Sequence, residues 1–400
     1  MDISTLLIQS GAIILLLTVV IRLVILLKGD CSRRSYEVQQ LELMTDYWQH
    51  KSMLSLNASA AKQQRWNGVR IFSVTDKVRE SDDIYSFYLK PHDGKPLPSF
   101  HPGQYLTIQI DHPQSNKRLT RCYSLSDSHS SDYYRISVKK EQEGLVSRYL
   151  HEQLHIGDIL EAKAPSGDFY LDTEIQHPIV LIAGGVGITP LLSMVNTLIS
   201  QQDTREVHLF YGVRNGSQIM MKPYFEELAE QHPHFNLHLC YSKPNSDDRD
   251  FQHQGRVTID LLKSILPASN YHYYLCASIV MMQSLSDDLK AWGVPDDDIY
   301  FEAFGAAKTT VAETGESYTV TLSKSNKVLN WDASEGSLLE LAENNEIPLE
   351  SACRAGQCGM CKVKITQGEV EYLTEPSASI EADSCLSCIS IPKGDISLAL

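Results

Sequence analysis

The sequence predicts a multidomain protein: an N-terminal transmembrane helix, an antiparallel β-barrel, a doubly wound α/β domain, and a small unit of strands around cysteines. Three observations lead there. An apolar run, Leu6 to Leu27, opens the chain. Short alternating strands give way near residue 176 to buried strands that alternate with helices. Five of the nine cysteines crowd between Cys353 and Cys388. A length of 400 residues, 42% hydrophobic and 21% charged, provides for two or three real cores. A net charge of −15 with no polybasic run argues against a nucleic-acid partner.

Leu6 to Leu27 would span about 33 Å as a helix, against a hydrocarbon core of roughly 30 Å. Gln9, Ser10 and Arg22 alone interrupt it, and Arg22 lies near one end, where its side chain can snorkel. A cleaved signal peptide fits less well, because Asp2 is the first charge and no Ala-x-Ala site follows. The expectation is a single-pass anchor over 5–28. Lys28, Arg33 and Arg34 follow it, which leaves the bulk of the chain in the cytoplasm. Residues 29–65 read as a polar, mostly helical stalk.

From Trp66 the texture changes. "GVRIFSVTDKV", "IYSFYLKP", "GQYLTIQID" and "YYRISVKK" are β-branched or alternating runs bounded by turn residues, so a small barrel is expected over 66–172. "PIVLIAGG" is a continuous apolar strand that ends in glycines and is followed by the helical "TPLLSMVNTLIS". "EVHLFYGV", "NLHLCYS" and "YHYYLCAS" repeat the strand pattern between helices, which predicts a parallel sheet over 176–305. "GAAKTTVAETGES" supplies a linker at 306–315, and 316–400 forms the third unit.

Cys353, Cys358 and Cys361 have the spacing C-x4-C-x2-C, and Cys388 lies 26 residues further on. In a cytoplasmic compartment such clusters are metal or redox centres more often than disulfides. Four thiolates at this spacing are what a plant-type [2Fe–2S] cluster requires. Ala355, Gly356, Gln357 and Gly359 let the loop wrap tightly so that backbone N–H groups can point at the sulfurs. A structural zinc site is the alternative, but the only second close pair is Cys385 with Cys388. Cys385 also competes as fourth ligand, although "LSCISIP" favours Cys388. Residues 316–400 carry 13 acidic and 6 basic side chains, net −7, a face suited to a basic partner or simply to solvation.

"PGQY" (102–105), "RCYSL" (121–125) and "GLVS" (144–147) are each weak signals. The last opens a helix whose N-terminus can hold a phosphate. "GGVGITP" (184–190) is a glycine-rich turn suited to a pyrophosphate. Together these motifs resemble the ferredoxin–NADP reductase superfamily over about 66–400, and "PGQYLTIQI", "YRISVKKEQEGLVSRYLHEQLHIGD" and "APSGDF" look like the reductase half of flavohaemoglobins.

The resemblance implies an FAD-binding barrel, an NAD(P)-binding domain and a β-grasp-like ferredoxin domain. It implies that Arg121 pairs with the flavin phosphate and that Tyr105, Cys122 and Tyr123 contact the flavin. Ser124 would hydrogen-bond flavin N5. The helix start Gly144, Leu145, Val146 and Ser147 favours FAD over FMN. Gly185, Val186, Gly187, Ile188, Thr189 and Pro190 would bind the nicotinamide dinucleotide, and Arg214 of "YGVR" its adenosine part. Glu302 and Phe304 of "YFEAFG" match residues that line the flavin. In "YLCASIVMM", Cys276 fits the cysteine beside the nicotinamide, but Ala277 and Ser278 replace the usual glycine and proline. A plain buried strand cysteine therefore stays open as its reading. Catalytic roles are expected for Ser124, Cys276 and Glu302, and metal-ligand roles for Cys353, Cys358, Cys361 and Cys388.

The domain order resembles phthalate dioxygenase reductase with an anchor added. It implies a membrane-anchored reductase that passes electrons from NADH, with NADPH as the alternative, through FAD and [2Fe–2S] to a membrane-bound oxygenase, hydroxylase or desaturase. Two other readings stand beside it. One is a self-contained enzyme reducing quinone or a metal ion. The other, prompted by the altered Cys-Ala-Ser turn, is a non-catalytic flavin-binding or assembly subunit.

Overall fold

The first six strands alternate apolar with polar side chains, and that period of two is what a barrel with one buried face demands. They are β1 (Val69–Arg79), β2 (Ile84–Pro91), β3 (Tyr105–His112), β4 (Lys117–Ser124), β5 (Tyr134–Lys139) and β6 (Ile159–Ser166). The computed structural model describes residues 66–112, 117–304, 316–374, 376 and 378–400. The six strands pair antiparallel in the order β4-β3-β6-β1-β2-β5, and a bridge from Leu125 to Ile136 links the two ends. Phe72, Phe87, Leu106, Ile108, Ile136 and Leu160 fill the interior. Helix α1 (Leu145–Glu152) closes one mouth with Val146 and Leu150 turned inward.

The second sheet contains β7 (Ile179–Gly184), β8 (Val207–Val213), β9 (Phe235–Tyr241), β10 (His253–Gln254), β11 (His272–Ala277) and β12 (Ile299–Ala303). It is parallel throughout, in the order β10-β9-β8-β7-β11-β12. Its strands read as unbroken apolar runs because helices cover both faces. These are α2 (Ile188–Ser200), α3 (Lys222–Gln231), α4 (Ile259–Ile265) and α5 (Ile279–Ala291), and two separate cores form, one on each side. The chain winds outward from β7 to β10, then returns to lay β11 on the other side of β7. Strand order reverses there, and in such sheets a crevice opens at that point beyond the carboxyl ends of the strands.

Asp127 of the barrel ties the first two sheets together. Its carbonyl accepts from Ser193 Oγ at 2.7 Å, its carboxylate accepts from Asn196 Nδ2 at 2.7 Å, and Arg135 lies 3.5 Å away.

The third sheet uses β13 (Ser317–Leu322), β14 (Lys327–Asp332), β15 (Lys362–Gln367), β17 (Ser384–Leu386) and β19 (Ile396–Leu398), in the order β14-β13-β19-β15-β17. A smaller pair joins β16 (Val370–Tyr372) to β18 (Ser390–Pro392). Helix α6 (Leu338–Asn344) starts at a reciprocal cap between Ser337 and Glu340, and packs Leu338, Leu341 and Ala342 on the sheet.

The expected anchor at 5–28, the stalk at 29–65 and the linker at 306–315 lie outside the described residues. Among the described residues, no helix is long and apolar enough to cross a membrane.

Candidate functional site

The crevice at the strand reversal is a cleft of about 450 Å³, and all three sheets contribute to its wall. The barrel supplies Tyr105, Arg121, Cys122, Tyr123 and Ser124, together with the α1 start from Gly144 to Ser147. The parallel sheet supplies Gly184, Gly185, Val186 and Thr189 after β7, then Ala277 and Ser278 after β11. Glu302, Ala303 and Phe304 come from the end of β12, and Cys353, Arg354 and Gln357 from the cysteine loop.

One end of the cleft suits an anion. Arg121 and Arg354 both face it, and burial first, then the Arg354 guanidinium, holds the Arg121 pKa below its ordinary value. Glu343, ion-paired with Arg354, offsets one of the two half-buried charges, and the pair can still take a further negative partner. Helix α1 begins beside them, and its N-cap Gly144 provides no side-chain acceptor for the free N–H groups. Tyr105, Tyr123 and Phe304 add flat apolar surface. A planar aromatic ligand carrying phosphates, such as a flavin dinucleotide, fits this donor set.

The other end is drier. Ser124 and Glu302 are 3% and 4% exposed, and Ser124 Oγ donates to Glu302 Oε2 at 3.4 Å. Burial raises the Glu302 carboxyl from 4.5 to about 8 against the opposing pull of Ser124, with Cys353 nearby adding to the rise. The unfolded chain therefore gives up this proton first, and stability falls as pH climbs from about 4.5 to about 8, at roughly 1.4 kcal/mol per unit of separation. Replacing Glu302 by glutamine removes the titration. Thermal melts of E302Q should then show a shallower fall in Tm between pH 5 and 8 than the wild type, and an unchanged slope would contradict this burial.

The glycine-rich turn after β7 is held by contact rather than by conformation at Gly187. A Cβ there would sit 1.9 Å from the Cys276 carbonyl oxygen, so β11 and the start of α2 touch backbone to backbone. Thr189 Oγ1 donates to the Val186 carbonyl at 3.0 Å. Gly187, Ile188 and Pro190 stand behind the lining residues, at the start of α2. Arg214, expected at an adenosine, follows β8, is exposed and stands apart from the cleft wall. Cys276, expected beside the nicotinamide, is 0% exposed and packs in the core with Ile188 and Leu191. At that point Ala277 and Ser278 form the wall.

The cysteine loop turns on Gly356 and Gly359, at φ +72° and +69°. Cys353 Sγ accepts N–H bonds from Ala355, Gln357 and Cys358 at 3.3 to 3.5 Å. The four expected thiols come as two neighbouring pairs: the Cys353 and Cys358 backbone N–H groups each donate to the other's sulfur, at 3.5 and 3.3 Å, and Cys361 packs with Cys388. Among the described residues, no three His, Cys, Asp or Glu side chains converge on a single-ion position. Pairs are what two irons bridged by sulfide need, since each takes two protein thiolates, whereas one zinc ion needs all four at one point. Cys385 faces elsewhere: it sits opposite Val363 in the sheet register and packs with Trp331 and Leu338.

Sequence reasoning missed Lys139, Arg354 and Gln357 in the cleft wall. Lys139 ends a strand just before the α1 start, and Arg354 is the one charge in "CRAGQCGMC", so both carried a readable signal. Gln357 carried none. Its carboxamide reaches the Ala303 backbone, and with the amide turned so that nitrogen faces the carbonyl and oxygen the N–H it bonds both, at 3.2 and 2.5 Å.

Comparison with known proteins agrees with this geometry. Residues 71–170 match the oxidoreductase FAD-binding domain, 181–287 the oxidoreductase NAD-binding domain, and 320–393 the 2Fe-2S iron-sulfur cluster binding domain. The FAD/NAD-binding domain of nitric oxide dioxygenase from Vibrio cholerae O1 biovar El Tor is 35% identical over 59% of this chain and 98% of its own, with a TM-score of 0.55. This chain belongs to the ferredoxin–NADP reductase family. Phthalate dioxygenase reductase, solved as a modular structure for electron transfer from pyridine nucleotides to [2Fe–2S], is 27% identical over 84% of this chain and 98% of its own, with a TM-score of 0.58. The flavohemoprotein of Bacillus cereus (strain ATCC 10987 / NRS 248) is 41% identical over 257 residues. That match takes in 62% of this chain and 64% of the flavohemoprotein's length. The family member described here carries FAD-, nicotinamide- and [2Fe–2S]-binding domains, and is by class an NAD(P)H-dependent electron-transfer oxidoreductase.

Proposed function

We propose that this reductase takes hydride from NADH or NADPH and delivers single electrons, through its C-terminal domain, to a membrane-bound oxygenase, hydroxylase or desaturase. Residues 5–28 would anchor it in the membrane, with the domains at 66–172, 176–305 and 316–400 in the cytoplasm. One observation carries the reading: a single cleft is walled at once by flavin-motif, nicotinamide-turn and cysteine-loop residues. Bound flavin supplies a carrier that is stable in one- and two-electron states, which matches a hydride donor to a one-electron cluster.

The residues divide the work. Arg121 and the Gly144–Ser147 helix start bind the flavin phosphates, with Arg354 beside them. Tyr105, Tyr123 and Phe304 orient the ring and keep water from it. Glu302 holds a proton at neutral pH beside Ser124, at the end of the cleft where hydride arrives. Cys353, Cys358, Cys361 and Cys388 hold the cluster. Thr189 and the glycine turn bind the nicotinamide dinucleotide, and the exposed Arg214 its adenosine end. Confinement to a bilayer raises the effective concentration of a membrane partner.

Single-turnover mixing tests the acceptor. The reduced protein, added to membranes that hold di-iron or haem proteins, is expected to reoxidise in one-electron steps as those centres are reduced. The proposal fails if no such centre accepts an electron while added quinone alone sustains NADH oxidation.

A further inference from the structure

Strand β1 has a register shift between Val74 and Asp76, where Thr75 is passed over in the pairing with β2. One extra residue in a strand flips every later side chain to the other face. Before the shift Phe72 and Val74 point into the barrel. After it Lys77 points inward, opposite the buried Phe87, while the apolar Val78 is left exposed. A lysine is rarely turned toward a core unless something there holds its charge. Here α1 holds it. Lys77 Nζ donates to the His151 carbonyl at 2.7 Å and to the Leu154 carbonyl at 2.8 Å. It also stands 5.5 and 5.6 Å from the ring centres of Tyr85 and Phe87. The two carbonyls belong to the last turn of α1 and the chain leaving it, where no further helical N–H remains to satisfy them.

We propose that Lys77 is a positioning residue for the flavin dinucleotide: it clamps the C-terminal end of α1 so that the free N–H groups at the other end meet the pyrophosphate. The helix has 8 residues and is about 12 Å long. Its first residues, Leu145 to Ser147, wall the cleft, and Gly144 ahead of them supplies no side-chain cap. Val146 and Leu150 hold one side of the helix on the barrel, but apolar packing has no direction and leaves sliding along the axis weakly fixed. Directed bonds fix it. His151 Nε2 lies 2.7 Å from the Val138 carbonyl on β5, and Lys77 adds two charge-assisted bonds from β1. A cation at this end also complements the helix dipole. Without the ammonium, two carbonyls lose their donor and the last turn loosens. The N–H groups at the cleft then lose their register with the phosphates. The FMN half of the flavin, seated against the barrel strands, does not depend on that register.

This inference rests on the reading that the α1 start holds the flavin phosphates, and its test separates the two. Full-length wild type, K77M and L145P are stripped of flavin and titrated with FAD and with FMN, binding being followed by flavin fluorescence. K77M is expected to weaken FAD about tenfold and to leave FMN unchanged. Amide deuterium exchange over 145–153 should be faster in the same variant. L145P removes the first N–H of the helix with little else disturbed. Proline suits that position, Gly144 before it is already extended, and the Leu145 side chain is exposed. L145P should likewise weaken FAD and spare FMN. Wild-type FAD affinity in K77M beside a loss in L145P overturns the inference alone. So does unchanged exchange over α1, or a K77M loss that FAD and FMN share, as a merely weakened barrel would give. A loss in K77M with none in L145P also overturns it, because the effect then bypasses the helix start. Wild-type affinity in both variants shows that the phosphates lie elsewhere, and the reading of the helix start fails with the inference. Should K77M fail to fold, K77Q decides by the same comparison of FAD with FMN.

Discussion

Replacing Cys388 by serine is expected to strip the [2Fe–2S] cluster and cut electron delivery to protein acceptors that draw on the cluster at least about 100-fold, while Cys385→Ser keeps the cluster. Loss of an outer-shell partner alone costs up to roughly 100-fold at metal sites, and a ligand counts for more. The two cysteines lie three residues apart, yet the fold treats them differently. Cys388 packs with Cys361, Leu339 and Ile389 in one buried cluster. Cys385 is 0% exposed, in the core of the third sheet. A serine hydroxyl there costs about 1–3 kcal/mol of burial, so C385S should melt earlier without losing iron. Iron and sulfide analysis, with ferricyanide reduction as a readout of the flavin alone, separates the outcomes. Iron lost from C385S and kept by C388S would reverse the ligand assignment.

Gly187→Ala carries the second large effect. The new methyl would lie 1.9 Å from the Cys276 oxygen and 2.5 Å from its carbonyl carbon. Both are backbone atoms, so no rotamer change relieves the clash, and the start of α2 must move away from β11. Overpacking of this kind costs about 1–3 kcal/mol and occasionally more. A displacement on the order of 1 Å at a positioning element slows a reaction by roughly 100-fold. Stopped-flow bleaching of the flavin by NADH should slow accordingly, while FAD and iron contents stay at wild-type levels. Gly185 provides the contrast. Its φ of +56° favours glycine, and a Cβ there meets no protein atom within 4 Å, so G185A leaves the α2–β11 contact intact and its cost to folding is local backbone strain of about 1 kcal/mol. Equal rates in G187A and the wild type would sink the close-contact explanation.

Much of the architecture could be read from patterns that depend only on neighbouring residues. Period-two alternation marked the barrel strands, apolar runs between helices marked the parallel sheet, and C-x4-C-x2-C marked the loop that pairs Cys353 with Cys358. What stayed hidden needs tertiary placement. Cys276 sits one residue from the cleft wall, and the direction a strand residue points at a sheet edge depends on register, which one sequence does not reveal. Gln357 carries no motif, yet its amide links two domains. Arg214 matched a motif and stands outside the cleft wall, since the parallel sheet builds that wall from the ends of β7, β11 and β12 and not from β8.

Anaerobic titration of the purified protein with NADH and then NADPH tests the central claim most directly, with flavin absorbance and the low-temperature EPR of the iron centre recorded together. The account predicts a yellow-brown protein whose flavin bleaches first and whose [2Fe–2S] signal follows within the same sample. A protein that binds neither flavin nor iron and sulfide, or whose iron centre stays oxidised after the flavin is fully reduced, would contradict it.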